Sequence, residues 1–343
     1  MGNPLAPKPP LQGEAFEGRL FIGDKTDPTV DDLVLGEVEM HVDHLDHVPA
    51  EDGEMRLGHR FHRRRSFLSS ITAMRALASR SAAGPQGAGE GREMLVTELI
   101  RRGALWHGER TALVFGDESL TFRDVDRLSN RIARWLGGGI GLAKGSPIAL
   151  LLDNGLHSVP CDFACTKAGL VRTPLNGRLS LAEHRRMLEA IGATVLIYGP
   201  GQAERAAALQ AELPSLALYG LGDGEVGPDL LRLCADASDA DPRVAQAPDD
   251  VLLALFTSGT TGTLKAAQHT QASYAAVVHN VLTNLIDPAP GEVMLHAASM
   301  IHASGCFVLP YWLRGGAAAI LPGFSPAAYV EAIERWRPNA LNL

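Results

Sequence analysis

Residues 257 to 265 combine the side chains and the backbone freedom needed to bind a chain of phosphates. The residues concerned are Thr257, Ser258, Gly259, Thr260, Thr261, Gly262 and Lys265. Glycine permits positive φ angles and close backbone approach, so successive N–H groups can turn toward one anion. The hydroxyl groups add hydrogen-bond donors, and Lys265 adds a full positive charge. This spacing predicts a loop that cradles a polyphosphate.

The segments on either side of this loop indicate how it is held. Val251 to Phe256 is a continuous apolar run, which is typical of a strand buried on both faces. Ser273 to Leu285 carries apolar residues at helical spacing. We therefore expect the loop to lie between a buried strand and a helix. Composition alone would equally allow an ordinary Gly/Ser/Thr turn.

The loop resembles the signature Thr-Ser-Gly-(Ser/Thr)-Thr-Gly-x-Pro-Lys-Gly of the adenylate-forming enzymes. This superfamily includes acyl-CoA synthetases, peptide-synthetase adenylation domains and luciferases. Thr257 to Gly262 match without a gap, and Lys265 falls at the lysine of the motif. Leu264 replaces the usual proline and Ala266 the usual glycine, which changes loop stiffness more than charge. A Walker-type loop does not fit, because neither glycine is followed by Lys-(Ser/Thr).

A second element, Ser299 to Gly305, follows a strand that the pattern predicts over Val293 to Ala297. It resembles the family element Pro-(Met/Leu)-x-His-x-x-Gly, with Ser299 in place of the proline. The resemblance implies that His302 lies near the carboxylate of an acid substrate and has a catalytic role, with Ser304 and Gly305 beside the acyl pocket. A histidine in a Gly/Ser turn can equally be a plain turn residue.

Strands alternate with helices of 10 to 15 residues from Met94 onward, which predicts layered, largely parallel sheets. Leu120 to Val125 and Thr166 to Gly169 resemble two further family elements, and the sequence after Leu309 is most similar to fatty-acid and related acyl-CoA ligases. The resemblance implies an adenylate-forming N-terminal domain over residues 94–343. It stops at Leu343, so we expect a truncated form that lacks the family's mobile C-terminal domain and turns over slowly if at all.

Residues 1–93 have a different character. They are Pro-rich, then acidic and His-rich, then basic, and only Leu33 to Val42 alternates well enough to predict one short strand. Such a composition buries too little apolar surface to offset the entropy of ordering, so we expect an extension of low order. The cluster from His41 to His47 includes a His-x-Asp-His sequence but lacks the first histidine of a metallo-hydrolase motif. We therefore assign it no metal site.

The overall composition narrows the class of protein. An apolar fraction of 46% and a charged fraction of 20% are ordinary for a globular protein. A net charge of −8 argues against a nucleic-acid partner, and no apolar run reaches the roughly 18 residues of a membrane helix. The four cysteines are too few for a disulfide framework, so we expect buried free thiols and a cytoplasmic location. Nothing in the sequence indicates the oligomeric state.

The resemblance implies a reaction with ATP, Mg²⁺ and CoA. A carboxylic acid, with a fatty acid as the first candidate, would be activated to an acyl-adenylate and passed to the thiol of CoA. The loop residues 257–262 would hold the phosphates, and Lys265 would neutralise the departing pyrophosphate. Two alternatives stay open. One is a ligase that loads a carrier-protein thiol, and the other is a non-catalytic fragment that binds nucleotide.

Overall fold

The computed structural model describes residues 16–23, 33–40, 94–222, 224–257, 265–301 and 303–342. Two strands, Phe16–Gly23 and Leu33–Met40, fall within the N-terminal extension. The second of them confirms the predicted short strand, and the first was not predicted. The rest of the extension, including the histidine cluster at 41–47, lies outside the described residues, and its low order stays a prediction.

Thirteen strands and nine α-helices make up the described part of the chain. The strands are β1 Phe16–Gly23, β2 Leu33–Met40, β3 Thr111–Phe115, β4 Glu118–Thr121, β5 Pro147–Leu151, β6 Val171–Pro174, β7 Val195–Tyr198, β8 Ala217–Gly220, β9 Val251–Thr257, β10 Lys265–Thr270, β11 Val293–His296, β12 Ala317–Ile320 and β13 Ala340–Asn342. The helices are α1 Val96–His107, α2 Phe122–Arg134, α3 Ser158–Lys167, α4 Leu181–Ile191, α5 Ala203–Glu212, α6 Leu230–Leu233, α7 Gln271–Asn284, α8 Val308–Arg314 and α9 Pro326–Trp336.

These strands form two sheets, which we call sheet A and sheet B. Sheet A has the order β2-β1-β13-β11-β12-β3-β4, and its antiparallel pairs are β1–β2 and β3–β4. Sheet B has the order β10-β9-β6-β5-β7-β8, and its antiparallel pair is β9–β10. The other neighbours run parallel. The predicted class, layered and largely parallel sheets with flanking helices, is confirmed.

Local sequence explains where the helices begin. Thr121 accepts a hydrogen bond from the backbone N–H of Asp124, whose carboxylate accepts one from the backbone N–H of Thr121. Ser180 and Glu183 repeat this capping box at the start of α4. Each box satisfies donors that the first turn of a helix otherwise leaves unpaired. These helices therefore start within a residue of where the sequence pattern places them.

A buried lysine joins α2 to α3. The side chain of Lys167 is fully buried, and its Nζ donates to Asp126 Oδ1 at 2.6 Å, Ser129 Oγ at 2.7 Å and Asn130 Oδ1 at 2.7 Å. Burial lowers the pKa of Lys167, and the carboxylate of Asp126 offsets part of that effect. A buried ammonium is tolerated only with such partners. This network fixes the packing of the two helices.

The cysteines agree with the expected free thiols. Cys161, Cys165 and Cys234 are buried and unpaired, and Cys306 is free and half-buried. No helix in the described ranges is both long and apolar enough to cross a bilayer.

Candidate active site

Strands β9 and β10 bring the two ends of the phosphate loop together. Thr257 and Lys265 are register partners in this antiparallel pair. The sequence pattern predicted that the loop leads directly to a helix, and this prediction was wrong, because β10 lies between the loop and α7. The edge strand β10 was missed because Lys265 to Gln268 are exposed and carry no apolar alternation.

The structure describes only the ends of the predicted phosphate-binding set. Thr257 ends β9, and Lys265 begins β10 with its side chain exposed. No carboxylate of the described residues lies within salt-bridge distance of Lys265, so its charge is available to an anion. The remaining members lie outside the described residues, and their role stays a prediction. They are Ser258, Gly259, Thr260, Thr261 and Gly262.

Residues 297–301, the first part of the turn after β11, are held by a side chain from the other sheet. Asn154 follows β5 of sheet B, and its Nδ2 donates to Ala298 O at 2.9 Å and to Leu321 O at 3.0 Å. Its Oδ1 accepts from the backbone N–H of Met300 at 2.9 Å. Because β5 and β12 both end here, the carboxyl ends of the two sheets meet at Asn154, the edge at which open α/β sheets bind ligands. The sequence did not single out Asn154, since an Asn-Gly pair after a strand is typical of a turn.

A second support comes from β11 itself. His296 is fully buried, and its Nδ1 lies 2.8 Å from Ser304 Oγ. Ser304, a candidate acyl-pocket residue, is also buried, so its hydroxyl group is engaged with the sheet. His296 is in register with Asn342 on β13. His296 Nε2 and Asn342 Oδ1 have no hydrogen-bond partner among the described residues. The predicted role of Ser304 beside the acyl pocket stays a prediction.

Gly305 closes the same turn on its own backbone. A Cβ atom built at Gly305 would lie 2.1 Å from Met300 O, so only glycine allows this approach. His302 lies outside the described residues, between Met300 and Gly305 in the chain. The turn that carries His302 is therefore supported on both sides, by Asn154 and by the His296–Ser304 contact. The catalytic role of His302 stays a prediction.

Replacing Gly305 with alanine is expected to destabilise the protein by about 1–3 kcal/mol, because the added methyl group meets backbone rather than a movable side chain. Urea unfolding measures the loss. Gly137→Ala is the matched control, since a Cβ there has no neighbour within 4 Å. An equal change in both variants would contradict the close approach at Gly305.

Burial lowers the pKa of His296 to about 4, against 6.5 when unfolded. The unfolded chain therefore binds a proton between these two pH values that the folded chain does not. Stability should fall as the pH drops from 6.5 to 4, by about 3 kcal/mol in total from this residue. Unfolding measured at pH 7 and pH 5 tests this.

The matched variants for this pH effect are His296→Asn and His279→Asn. His279 is exposed on α7, so its loss should leave the pH dependence intact, whereas His296→Asn should flatten it. The comparison is needed because burial also lowers the pKa of other histidines, namely His157, His184 and His269. A pH dependence unchanged by His296→Asn would contradict the assignment.

This fold is that of the N-terminal domain of adenylate-forming enzymes. The inhibitor-bound N-terminal domain of FACL13 from Mycobacterium tuberculosis superimposes with a TM-score of 0.64 at 27% identity, covering 70% of this chain and 60% of that one. The anthranilate CoA ligase AuaEII, solved with anthranoyl-AMP, gives a TM-score of 0.68 at 22% identity over 75% of this chain and 51% of its own. The second likeness concerns the fold alone.

The chain belongs to the AMP-binding enzyme family, which it matches over residues 100–343. Feruloyl-CoA synthase of Amycolatopsis sp is 36% identical over 229 residues, covering 66% of this chain and 44% of that protein. Long-chain-fatty-acid–CoA ligase FadD13 of Mycobacterium tuberculosis (strain CDC 1551 / Oshkosh) is 30% identical over 214 residues, covering 61% and 41%. The chain thus spans less than half the length of these curated relatives.

Proposed function

We propose that this chain supplies the ATP- and acid-binding part of an acid–thiol ligase. In this reaction a carboxylate oxygen attacks the α-phosphorus of ATP and pyrophosphate leaves, which forms an acyl-adenylate. The thiol of CoA then attacks the acyl carbon and AMP leaves, which forms the thioester. The observation that carries the proposal is the register of Thr257 with Lys265. It sets the first residue and the lysine of the family's phosphate-loop motif side by side.

Negative charge grows on the phosphoryl oxygens and on the departing pyrophosphate during the first step. Donors and cations already aimed at that charge lower the barrier, because they need no reorganisation as it develops. Lys265 is exposed, has no carboxylate within salt-bridge distance among the described residues, and begins the strand that follows the loop in the chain. It would neutralise the leaving group, while the loop hydroxyl and N–H groups would hold the phosphates.

Mg²⁺ would enter bound to ATP rather than in a site built by the protein alone. In the part of the chain that the structure describes, no group of three or more His, Cys, Asp or Glu residues could hold a metal ion. This agrees with the usual behaviour of Mg²⁺, which keeps several waters and binds through substrate phosphates with one or two carboxylates. The metal would supply further neutralisation of phosphate charge.

The acid is proposed to be a fatty acid, with an aromatic acid as the second candidate. A fatty acid is supported by the sequence after Leu309, which resembles fatty-acid and related acyl-CoA ligases, and by the similarity to FadD13. The aromatic reading rests on the higher identity to feruloyl-CoA synthase. His302, Ser304 and Gly305 would contact the acid in either case, and the His296–Ser304 and Asn154 contacts would hold them in place.

The test has two stages and uses the full 343-residue chain. Calorimetric titration with MgATP asks whether nucleotide binds, and pyrophosphate release is then followed with octanoate, palmitate, ferulate and benzoate, with CoA or a phosphopantetheinyl carrier protein as acceptor. Binding with acid-dependent release supports the proposal and ranks the acids. Release that needs the carrier protein favours the carrier-loading alternative. Because slow turnover is expected of this chain, binding without release favours the non-catalytic fragment only if none of the acids changes the affinity for ATP, and no binding contradicts all three.

A further inference from the structure

A groove of about 960 Å³ lies at the edge of sheet A opposite the candidate active site. It is bordered by the end of α1, by the residues that lead into β3, and by Pro290 ahead of β11. Since β3 and β11 both run parallel to β12, their first residues share the amino edge of the sheet. His296 and Leu321 mark the carboxyl edge. The groove is therefore separate from the phosphate loop and its turn.

The groove is basic, although the whole chain has a net charge of −8. Five arginines line it, against three carboxylates, and each carboxylate already has a partner. The pairs are Arg101–Asp241, Arg123–Glu109 and Lys167–Asp126. Burial alone would raise the pKa of Asp241, but the hydrogen bonds from Arg101 and the backbone of Arg243 lower it overall. Each of the three carboxylates is thus already held by a basic side chain.

Three guanidinium groups are left with little or no neutralisation. Arg102 and Arg110 form no ion pair within the described ranges, and Arg243 reaches Asp241 only at 3.9 Å. Arg102 is also held in place, because its guanidinium carbon lies 4.8 Å from the centre of the Trp106 ring. Its Nε is buried without a hydrogen-bond partner among the described residues.

The surroundings indicate a ligand with more than one recognition feature. Trp106 is 62% exposed, and its neighbour Leu105 is 81% exposed. An aromatic ring beside arginines suits either a planar ring next to a phosphate or the boundary between lipid head groups and acyl chains. Both share one chemistry, a phosphate oxygen facing guanidinium groups, which match it with two parallel hydrogen bonds.

We propose that this groove binds a phosphate group through Arg102, Arg110 and Arg243. The ligand is a soluble polyphosphate or the head group of an anionic phospholipid. The site does not depend on the proposed ligase activity, because it lies at the other edge of the sheet.

The experiment uses the full chain carrying Lys265→Ala, so that binding at the phosphate loop is reduced. Tripolyphosphate is titrated calorimetrically into this protein, and vesicles of phosphatidylcholine with and without phosphatidylglycerol are used in co-sedimentation. We expect binding in at least one of these two measurements. The double variant Arg102→Gln/Arg110→Gln should weaken it tenfold or more, and raised salt should weaken it as well. Arg102→Lys keeps the charge but loses the two parallel hydrogen bonds of the guanidinium group, so its affinity should lie between those of the parent and of the glutamine variant.

Arg186→Gln is the matched control, because it removes an exposed positive charge from α4, the helix between β6 and β7, and should leave binding unchanged. Circular dichroism and the melting temperature check that each variant is folded. Tripolyphosphate binding alone assigns a soluble ligand, and binding to anionic vesicles that also needs Trp106 assigns a lipid head group. The proposal is overturned if neither probe binds, or if the arginine variants bind as well as their parent.

Discussion

Replacing Lys265 with alanine is expected to weaken ATP binding about tenfold or more. The side chain is exposed, begins β10 opposite Thr257, and has no carboxylate partner among the described residues. A hydrogen bond to a charged group contributes about 1.5–3 kcal/mol, which sets the size of the effect. Calorimetric titration with MgATP measures it, and the melting temperature should stay constant, because an exposed lysine without partners adds little to stability.

Two companions sharpen this experiment. Lys265→Arg keeps the positive charge and should retain most of the affinity, whereas Lys265→Met keeps the length of the side chain and should lose as much as alanine does. Equal affinity in the parent and in Lys265→Met, with ATP bound by both, would contradict a phosphate role for Lys265. AMP lacks the β- and γ-phosphates, so its binding should be far less affected.

Replacing Asp126 with alanine is expected to destabilise the fold by about 3 kcal/mol at neutral pH. The change leaves the ammonium of Lys167 buried with neutral partners, the side-chain oxygens of Ser129 and Asn130 and the backbone oxygen of residue 126. Removing one partner of a buried ion pair costs far more than the pair itself contributes, because an uncompensated charge remains. Urea unfolding measures the loss. Asp239→Ala, which removes an exposed partner of Arg127, should change stability by less than about 1 kcal/mol.

The same variant should respond to pH in a direction that identifies the cause. Burial already lowers the pKa of Lys167, and without Asp126 nothing of comparable strength opposes it. The unfolded chain then binds a proton that the folded chain releases, so the stability of Asp126→Ala should rise between pH 7 and about 10. Lys167→Met in the same background should remove this rise. A loss of stability that does not change with pH would indicate lost packing instead.

The sequence predicts most of the framework because its signals are local. Continuous apolar runs mark β5, β7 and β11, and the capping boxes at Thr121 and Ser180 mark helix starts. Elements without such a signal were missed. β10 is exposed and lacks alternation, and α8 begins inside the apolar run that follows Gly305.

The candidate site was predicted in part for the same reason. A signature such as residues 257–265 can be read from the order of residue types. Asn154 cannot, because its three bonds reach residues 144 to 167 positions away, which no local pattern encodes. The contact of His296 with Ser304 could not be predicted either, because the sequence does not show which side of β11 faces α8. The arginine groove assembles side chains from α1, α2 and the segment near Asp241.

The hydrogen bonds of Asn154 allow the transient separation of the two sheets to be measured at a single residue. Its amide group uses both donors and an acceptor on backbone atoms of the facing segments, so those bonds must break together when the sheets separate. The amide proton of Met300 is shielded by that acceptor. Its exchange with deuterated solvent should therefore follow the frequency of the separating motion, and a ligand that bridges the sheets should slow it.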